Sequence, residues 1–74
     1  MLHVYLRPGR ERPVLHGHPW IFSGAVEKID GAENDIAIAD IFDSKKTWLA
    51  RGFYNPKSQI RVRVLTWRQE EIDG

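Results

Sequence analysis

No cysteine occurs among the 74 residues of this chain, and that absence limits how the chain can fold. Disulfide bonds, thiolate metal sites and a cysteine nucleophile are all excluded. A single small domain is expected, because a second hydrophobic core would need about 50 further residues. With 42% hydrophobic and 28% charged residues, the composition is that of a folded domain. Its stability must come from packing, to which three Trp, two Tyr and three Phe can contribute.

The sequence carries no sign of a membrane or secreted protein. Its apolar runs extend over only a few residues, whereas a bilayer-spanning helix needs about 20. The first residues lack the charged segment and apolar core of a signal peptide. We therefore expect a cytoplasmic protein without a membrane partner, in keeping with the absence of cysteine.

Alternation of apolar and polar residues predicts four short strands, and a run that is apolar on both faces except at Asp40 predicts another. Turn signals rich in Gly, Pro, Asn and Asp separate the five strands. One short helix is predicted at residues 11–17, because Pro13 is acceptable in the first turn of a helix and Pro19 disfavours helix at the residue before it. Gly17 is its predicted end. Gly52 inside a strand predicts a bulge or a close approach of another backbone. The fold class is therefore mostly β (α+β), as a small barrel or sheet. The predicted strands cover residues 3–6, 25–29, 36–42, 47–54 and 59–67.

The same alternation predicts which side chains enter the core. Ile60, Val62 and Val64 should face inward on the last strand, which leaves Arg61 and Arg63 on the opposite face. A small core needs large rings, so most aromatic residues are assigned to packing, with Trp67 left open. Removal of Trp20 is accordingly expected to unfold the chain. The aromatic residues assigned to packing are Trp20, Phe22, Trp48 and Phe53.

Motifs for catalysis are absent from the sequence. Neither the GxGxxG turn nor the GxxxxGK turn of nucleotide-binding folds occurs. His16 and His18 lack a third ligand at a suitable spacing, so we expect surface or capping roles and no metal. Asp40 lies among apolar neighbours, either as a buried carboxylate with a raised pKa or, more commonly in proteins, as an inward polar residue bonded to turn amides.

Charges are grouped along the chain. Between residues 21 and 43, six acidic residues stand against Lys28 alone, whereas residues 44–68 carry seven Lys and Arg and no acid. Three further arginines, Arg7, Arg10 and Arg12, lie near the start. A basic face built from these groups is typical of a polyanion-binding protein. Solubilising charge spread around the sheet is the alternative, and the charge pattern leaves both interpretations open.

Two segments carry a resemblance to a known family. Residues 18–26 read HPWIFSGAV, and residues 52–65 read GFYNPKSQIRVRVL. Both closely resemble the PUA domain at the N-terminus of bacterial S-adenosylmethionine-dependent 23S rRNA cytosine-C5 methyltransferases, and the resemblance spans nearly the whole chain. It implies a PUA-like β pseudo-barrel with one or two short helices. It further implies an RNA-binding domain at residues 1–68 and a tail at residues 69–74 leading to a catalytic domain absent from this chain.

The resemblance and the residues together predict an accessory role in rRNA methylation. Methylation of cytosine C5 needs a thiolate that attacks C6, and this chain has none, so the fragment itself is not an enzyme. S-adenosylmethionine is expected as the cofactor of the parent protein, with none bound by this fragment. The expected partners are rRNA and the covalently linked methyltransferase domain. An RNA-binding surface needs donors to phosphates and 2′-hydroxyls. Candidate donors are Arg7, Arg10, Arg12, Lys57, Arg61 and Arg63.

A second function remains open at this point. The chain could act as an intramolecular docking or protein-interaction module that makes no direct contact with RNA. In that case Arg61 and Arg63 would pair with acidic residues, either of residues 27–43 or of the linked domain.

Overall fold

A computed structural model describes residues 2–31 and 37–68 of the chain. Six strands form one sheet in the order β2-β6-β5-β4-β1-β3. All neighbours are antiparallel except β1 and β4, which run parallel. The sheet curls into a half-barrel, which confirms the predicted mostly β fold. The elements are β1 (Leu2–Leu6), α1 (Arg12–Leu15), β2 (Trp20–Phe22), a 3-10 turn (Ser23–Ala25), β3 (Val26–Asp30), β4 (Ala37–Phe42), β5 (Trp48–Tyr54) and β6 (Ile60–Thr66).

The predicted elements are found within one or two residues of their expected ends, with one strand added. Helix α1 has Pro13 in its first turn and is followed by Gly17 at φ +87°, a conformation that favours glycine and ends the helix. The added strand is β2, whose three residues are too few to show a period in the sequence. Among the described residues, no helix is long and apolar enough to cross a membrane. The predicted tail at residues 69–74 and the first residue of the third predicted strand lie outside the described residues.

The core lies on the concave side of the sheet. Val4 and Leu6 of β1 are fully buried, as the alternation predicts, and α1 closes the core with Val14. A register shift between Tyr5 and Leu6 lets both Val26 and Ile29 of β3 pack against this core. Further buried hydrophobic residues are Leu2, Ile21, Ala39, Ile41, Leu49, Ala50, Tyr54, Val62 and Val64.

Three aromatic side chains assigned to the core are in fact on the surface. The exposed fractions of Trp20, Phe22 and Phe53 are 44%, 50% and 43%. Strand β2 lies at an edge of the sheet and directs only Ile21 inward, and Phe53 lies on the convex face opposite Gly52 and Tyr54. The prediction that Trp20 is a core residue is therefore wrong, because none of the described elements forms a second layer over the convex face at β2.

Bulges account for the other differences from strict alternation. Ile41 and Phe42 of β4 pair with two residues of β5 that lie two positions apart, so Leu49 between them has no partner and forms a bulge. Strict alternation would direct Leu49 outward, but its side chain is buried. The same bulge brings Trp48 opposite Phe42 on the convex face. Near the start of β6, Arg61 is the additional residue between the pairs formed with Ile21 and Phe22.

The close approach predicted at Gly52 is confirmed. The pairing of β5 with β6 shifts between Arg51 and Gly52. A Cβ atom at Gly52 would lie 2.8 Å from the Cα of Val64 and would also clash with the Arg63 carbonyl oxygen. Only glycine lets the backbones of β5 and β6 pass this closely.

Candidate nucleic-acid interface

Three adjacent strands present a row of large side chains on the convex face. Trp20 of β2 pairs with Arg63 of β6, and Arg63 pairs in turn with Phe53 of β5. Paired residues share a face of the sheet, so the three side chains stand next to one another. All three are exposed. We refer to Trp20, Arg63 and Phe53 as the aromatic–arginine row.

A shallow depression of about 380 Å³ adjoins one end of this row. It lies between β5 and the start of β6, where the β5–β6 turn is held by its own side chains. Asn55 Oδ1 accepts the backbone N–H of Lys57 at 3.0 Å, and Ser58 Oγ accepts that of Ile60 at 3.2 Å. Ile60 is half-buried and lines this depression, so its predicted place in the core is wrong. The lining residues are Phe53, Asn55, Ser58, Ile60 and Arg63.

A second depression of about 260 Å³ lies at the other end of the row, between β2, α1 and the 3-10 turn. Trp20 and Phe22 line it together with Arg10, which is exposed. Beside it, His18 Nδ1 accepts the backbone N–H of Trp20 at 3.2 Å, and the two rings meet edge-on with centroids 6.1 Å apart. These contacts fix the entry into β2 and orient Trp20.

The six candidate RNA-binding residues occupy different positions. Arg63 stands in the aromatic–arginine row, and Arg10 lies beside its Trp20 end. Lys57 is exposed in the β5–β6 turn. Arg7 and Arg12 are exposed at the two ends of the β1–α1 connection and line neither depression.

Arg61 differs from Arg63 although the sequence pattern treats the two alike. Arg61 is half-buried, and its Nε donates to the Ser58 carbonyl oxygen at 3.1 Å. This contact follows from the bulge at Arg61, which removes the residue from the regular pairing with β2. The two arginines are therefore not equivalent members of one row.

None of the acidic residues that the structure describes forms an ion pair with these candidates. In residues 2–31 and 37–68, Arg51 with Asp40 forms the only ion pair. The acids described between residues 27 and 43 thus leave Arg61 and Arg63 unpaired.

Asp40 itself is a buried structural carboxylate. Burial would raise its pKa, but hydrogen bonds from Arg51 and Trp48, together with the Arg51 charge, hold the pKa of Asp40 below its ordinary value. The alternative with a raised pKa is therefore wrong, and its bonding partners are side chains instead of turn amides.

Sequence reasoning missed Trp20 and Phe53 as surface residues. The available signal was alternation: in an extended Trp20–Phe22 segment, Ile21 faces the side opposite Trp20 and Phe22, so the three side chains cannot all enter the core. Phe53 carried a similar signal, because it alternates with Gly52 and Tyr54 and so falls on the same face as Arg51. Among the described residues, no group of three or more His, Cys, Asp or Glu side chains could hold a metal ion.

Comparison with known proteins agrees with this architecture. A family model described as "PUA-like domain" matches residues 4–67. The chain belongs to the PUA-like domain family. This membership confirms the PUA-like part of the resemblance seen in the two sequence segments and agrees with the curled sheet with its one short helix.

Relatives of this PUA-like domain are much longer proteins. The chain is 47% identical over 68 residues to "Ribosomal RNA large subunit methyltransferase I" of Serratia proteamaculans, a match covering 92% of the chain and 17% of that relative. It is 48% identical over 69 residues to the protein of the same name from Yersinia pseudotuberculosis, with 93% and 17% covered. The chain therefore spans 17% of the length of these relatives and corresponds to their PUA-like, non-catalytic portion.

Proposed function

We propose that this PUA-like domain binds rRNA and positions it for a methyltransferase domain linked to it. The observation that carries the proposal is the set of exposed cations around the aromatic–arginine row, where Arg63, Arg10 and Lys57 have no carboxylate partner among the described residues. Unpaired cations on one surface are what a polyanion requires. The names of the relatives support rRNA as the polyanion.

The proposal extends to the chemistry of the parent protein. Its linked domain would use S-adenosylmethionine to methylate C5 of a cytosine, and it would work in the cytoplasm, where the rRNA is. The lack of cysteine in this chain supports that division, because the thiolate needed at cytosine C6 must then come from another domain. In this division residues 1–68 bind RNA, and the contacts to phosphates and 2′-hydroxyls come from Arg7, Arg10, Arg12, Lys57, Arg61 and Arg63.

A docking function without RNA contact is the second candidate. It is favoured by the exposed apolar side chains of Leu15, Phe22 and Leu65, which are 60%, 50% and 42% exposed. Exposed apolar side chains of this kind can pack against a neighbouring protein domain. The two functions differ in their dependence on salt, because only RNA binding releases counterions from phosphates.

The test is a titration of the 74-residue chain with rRNA fragments at several salt concentrations. If about four phosphates of an unpaired strand are neutralised, the slope of log affinity against log salt should be near −3. Arg63→Ala should reduce the slope by somewhat less than one, without favouring any RNA sequence.

Lys45→Ala is the matched control, because it removes the same charge from the exposed β4–β5 hairpin, away from the row. If the two substitutions weaken binding equally, binding depends only on general charge attraction, and the proposed RNA-binding surface is wrong. Absence of RNA binding at every salt concentration would favour the docking function.

A further inference from the structure

We infer that the aromatic–arginine row is a stacking surface for unpaired bases, with Trp20 and Phe53 each holding one base and Arg63 contacting the phosphate between them. This inference rests on the proposed RNA-binding function and specifies its ligand as a single-stranded segment. A single-stranded segment means a loop, a bulge or an end whose base faces are open.

The two rings are accessible. Trp20 and Phe53 are 44% and 43% exposed, and the hydrophobic core is complete without either. The backbone at Trp20 is fixed on both sides, since its N–H is bonded to His18 and the preceding Pro19 carbonyl oxygen accepts the N–H of Val64 at 2.6 Å. A rigid aromatic face loses little conformational entropy when a base stacks on it.

The spacing of the row suits two neighbouring nucleotides. Adjacent strands lie about 4.8 Å apart, so the Cα atoms of Trp20 and Phe53, two strands apart, are separated by about 10 Å. Arg63 stands midway between them by its pairing with both. Its guanidinium has no carboxylate partner among the described residues and is free to bind a phosphate in a bidentate manner.

Polar groups are available next to the Phe53 ring. Ser58 and Asn55 line the same depression as Phe53 and Arg63. Because Ser58 Oγ accepts the N–H of Ile60, its own hydroxyl hydrogen remains for a ligand oxygen such as a 2′-hydroxyl or a base carbonyl. A ring, a cation and a hydroxyl within one shallow depression match the three parts of a nucleotide.

Unpaired RNA is favoured over a duplex for a physical reason. In a double helix both faces of each internal base are covered by its neighbours, so a protein ring can stack only where bases are splayed out. The phosphate contact of Arg63 is open to both forms of RNA. The two rings therefore contribute to the binding of unpaired RNA alone, whereas Arg63 contributes to the binding of both forms.

The experiment compares a short unpaired RNA with the duplex formed from it and its complement, using the 74-residue chain. Trp20→Ala and Phe53→Ala should each weaken binding of the unpaired RNA about 5-fold to 100-fold and leave duplex binding unchanged. Arg63→Ala should weaken both. Leu65→Ala is the matched control, since it removes a comparably exposed apolar side chain that lies outside the row.

A second measurement follows the Trp20 ring directly. Trp20→Phe should retain most of the affinity for unpaired RNA, because a ring remains, and should abolish the part of the fluorescence quenching that stacking on Trp20 produces. Circular dichroism of each variant establishes that it is folded. Should Trp20→Ala fail to fold, Phe53→Ala and Trp20→Phe still test the row.

Two results would overturn the inference in different ways. In the first, the chain binds RNA with the expected salt dependence, but Trp20→Ala and Phe53→Ala bind unpaired RNA as tightly as the unsubstituted chain. The stacking inference is then wrong, and the proposed function stands. If the chain binds neither RNA at any salt concentration, the proposed function fails together with the inference.

Discussion

Arg51 Nε donates a 2.7 Å hydrogen bond to Oδ1 of Asp40, the residue directly opposite it on the neighbouring strand β4. The indole N–H of Trp48 donates to the same oxygen at 3.0 Å. The side chains of Arg51 and Asp40 are only 12% and 11% exposed, so this carboxylate joins β4 and β5 in a largely water-free position. Charge-assisted hydrogen bonds of this kind are stronger than neutral ones.

Removal of the carboxylate should destabilise the domain. Asp40→Ala removes the acceptor shared by the Arg51 Nε–H and the Trp48 indole N–H, and we expect the free energy of unfolding to fall by about 1–3 kcal/mol. Urea denaturation measures the change. Glu27→Ala, which removes an exposed carboxylate from β3, should stay within about 0.5 kcal/mol. Equal losses in the two variants would show that the contact contributes nothing specific.

The lowered pKa of Asp40 predicts a loss of stability in acid. The unfolded chain takes up the proton at a higher pH than the folded chain, so the contribution is complete above the unfolded pKa, near pH 4, and disappears as pH falls through the lower folded pKa. Urea midpoints between about pH 6 and pH 2 should show this decline. In Asp40→Asn the same component should be missing, and an unchanged acid profile in that variant would contradict the assignment.

Glycine is required at position 52 and not at position 24. Gly52→Ala drives a Cβ into the backbone of Arg63 and Val64, so we expect a loss of about 1–3 kcal/mol in the free energy of unfolding. Gly24→Ala is the matched control, because no atom lies within 4 Å of its Cβ position and its φ is not positive. Thermal denaturation of both variants decides the point, and equal stability of the two would refute the close approach of β5 and β6.

Trp67 contributes to stability through one hydrogen bond. Its indole Nε1 donates to the Val14 carbonyl oxygen at 2.6 Å and so ties helix α1 to the end of β6. Trp67→Phe should lower the free energy of unfolding by about 0.5–1.5 kcal/mol, whereas Trp20→Phe should leave it nearly unchanged. Chemical denaturation of both variants tests this. A larger loss in Trp20→Phe would mean that Trp20 is the structural ring.

Much of the fold follows from residue patterns that act locally. The alternation in β1, β5 and β6, the apolar run of β4, and the Pro and Gly signals around α1 correspond to elements in the structure. Gly52 was informative because a glycine within a strand often marks a bulge or a close approach of another backbone. Local patterns failed at the bulges of Leu49 and Arg61, since a bulge depends on the pairing partner as much as on the bulged strand.

Only part of the candidate interface could be predicted from the sequence. The basic residues could be named from charge alone, but the row that joins Trp20, Arg63 and Phe53 could not. These residues are far apart along the chain, and their contact exists only because β6 lies between β2 and β5. Local patterns carry no information about such neighbours.

The sequence by itself thus determined a single small cysteine-free domain, its mostly β character and its basic second half. Tertiary structure alone decided which faces are covered, and so turned Trp20 and Phe53 from expected core residues into exposed ones. The physical reason is that burial of an apolar side chain depends on a second layer being present above it, not on the side chain itself. Strand order and register likewise decided that Asp40 meets Arg51 and that Arg63 stands between two rings, because pairing across a sheet is set by the whole fold.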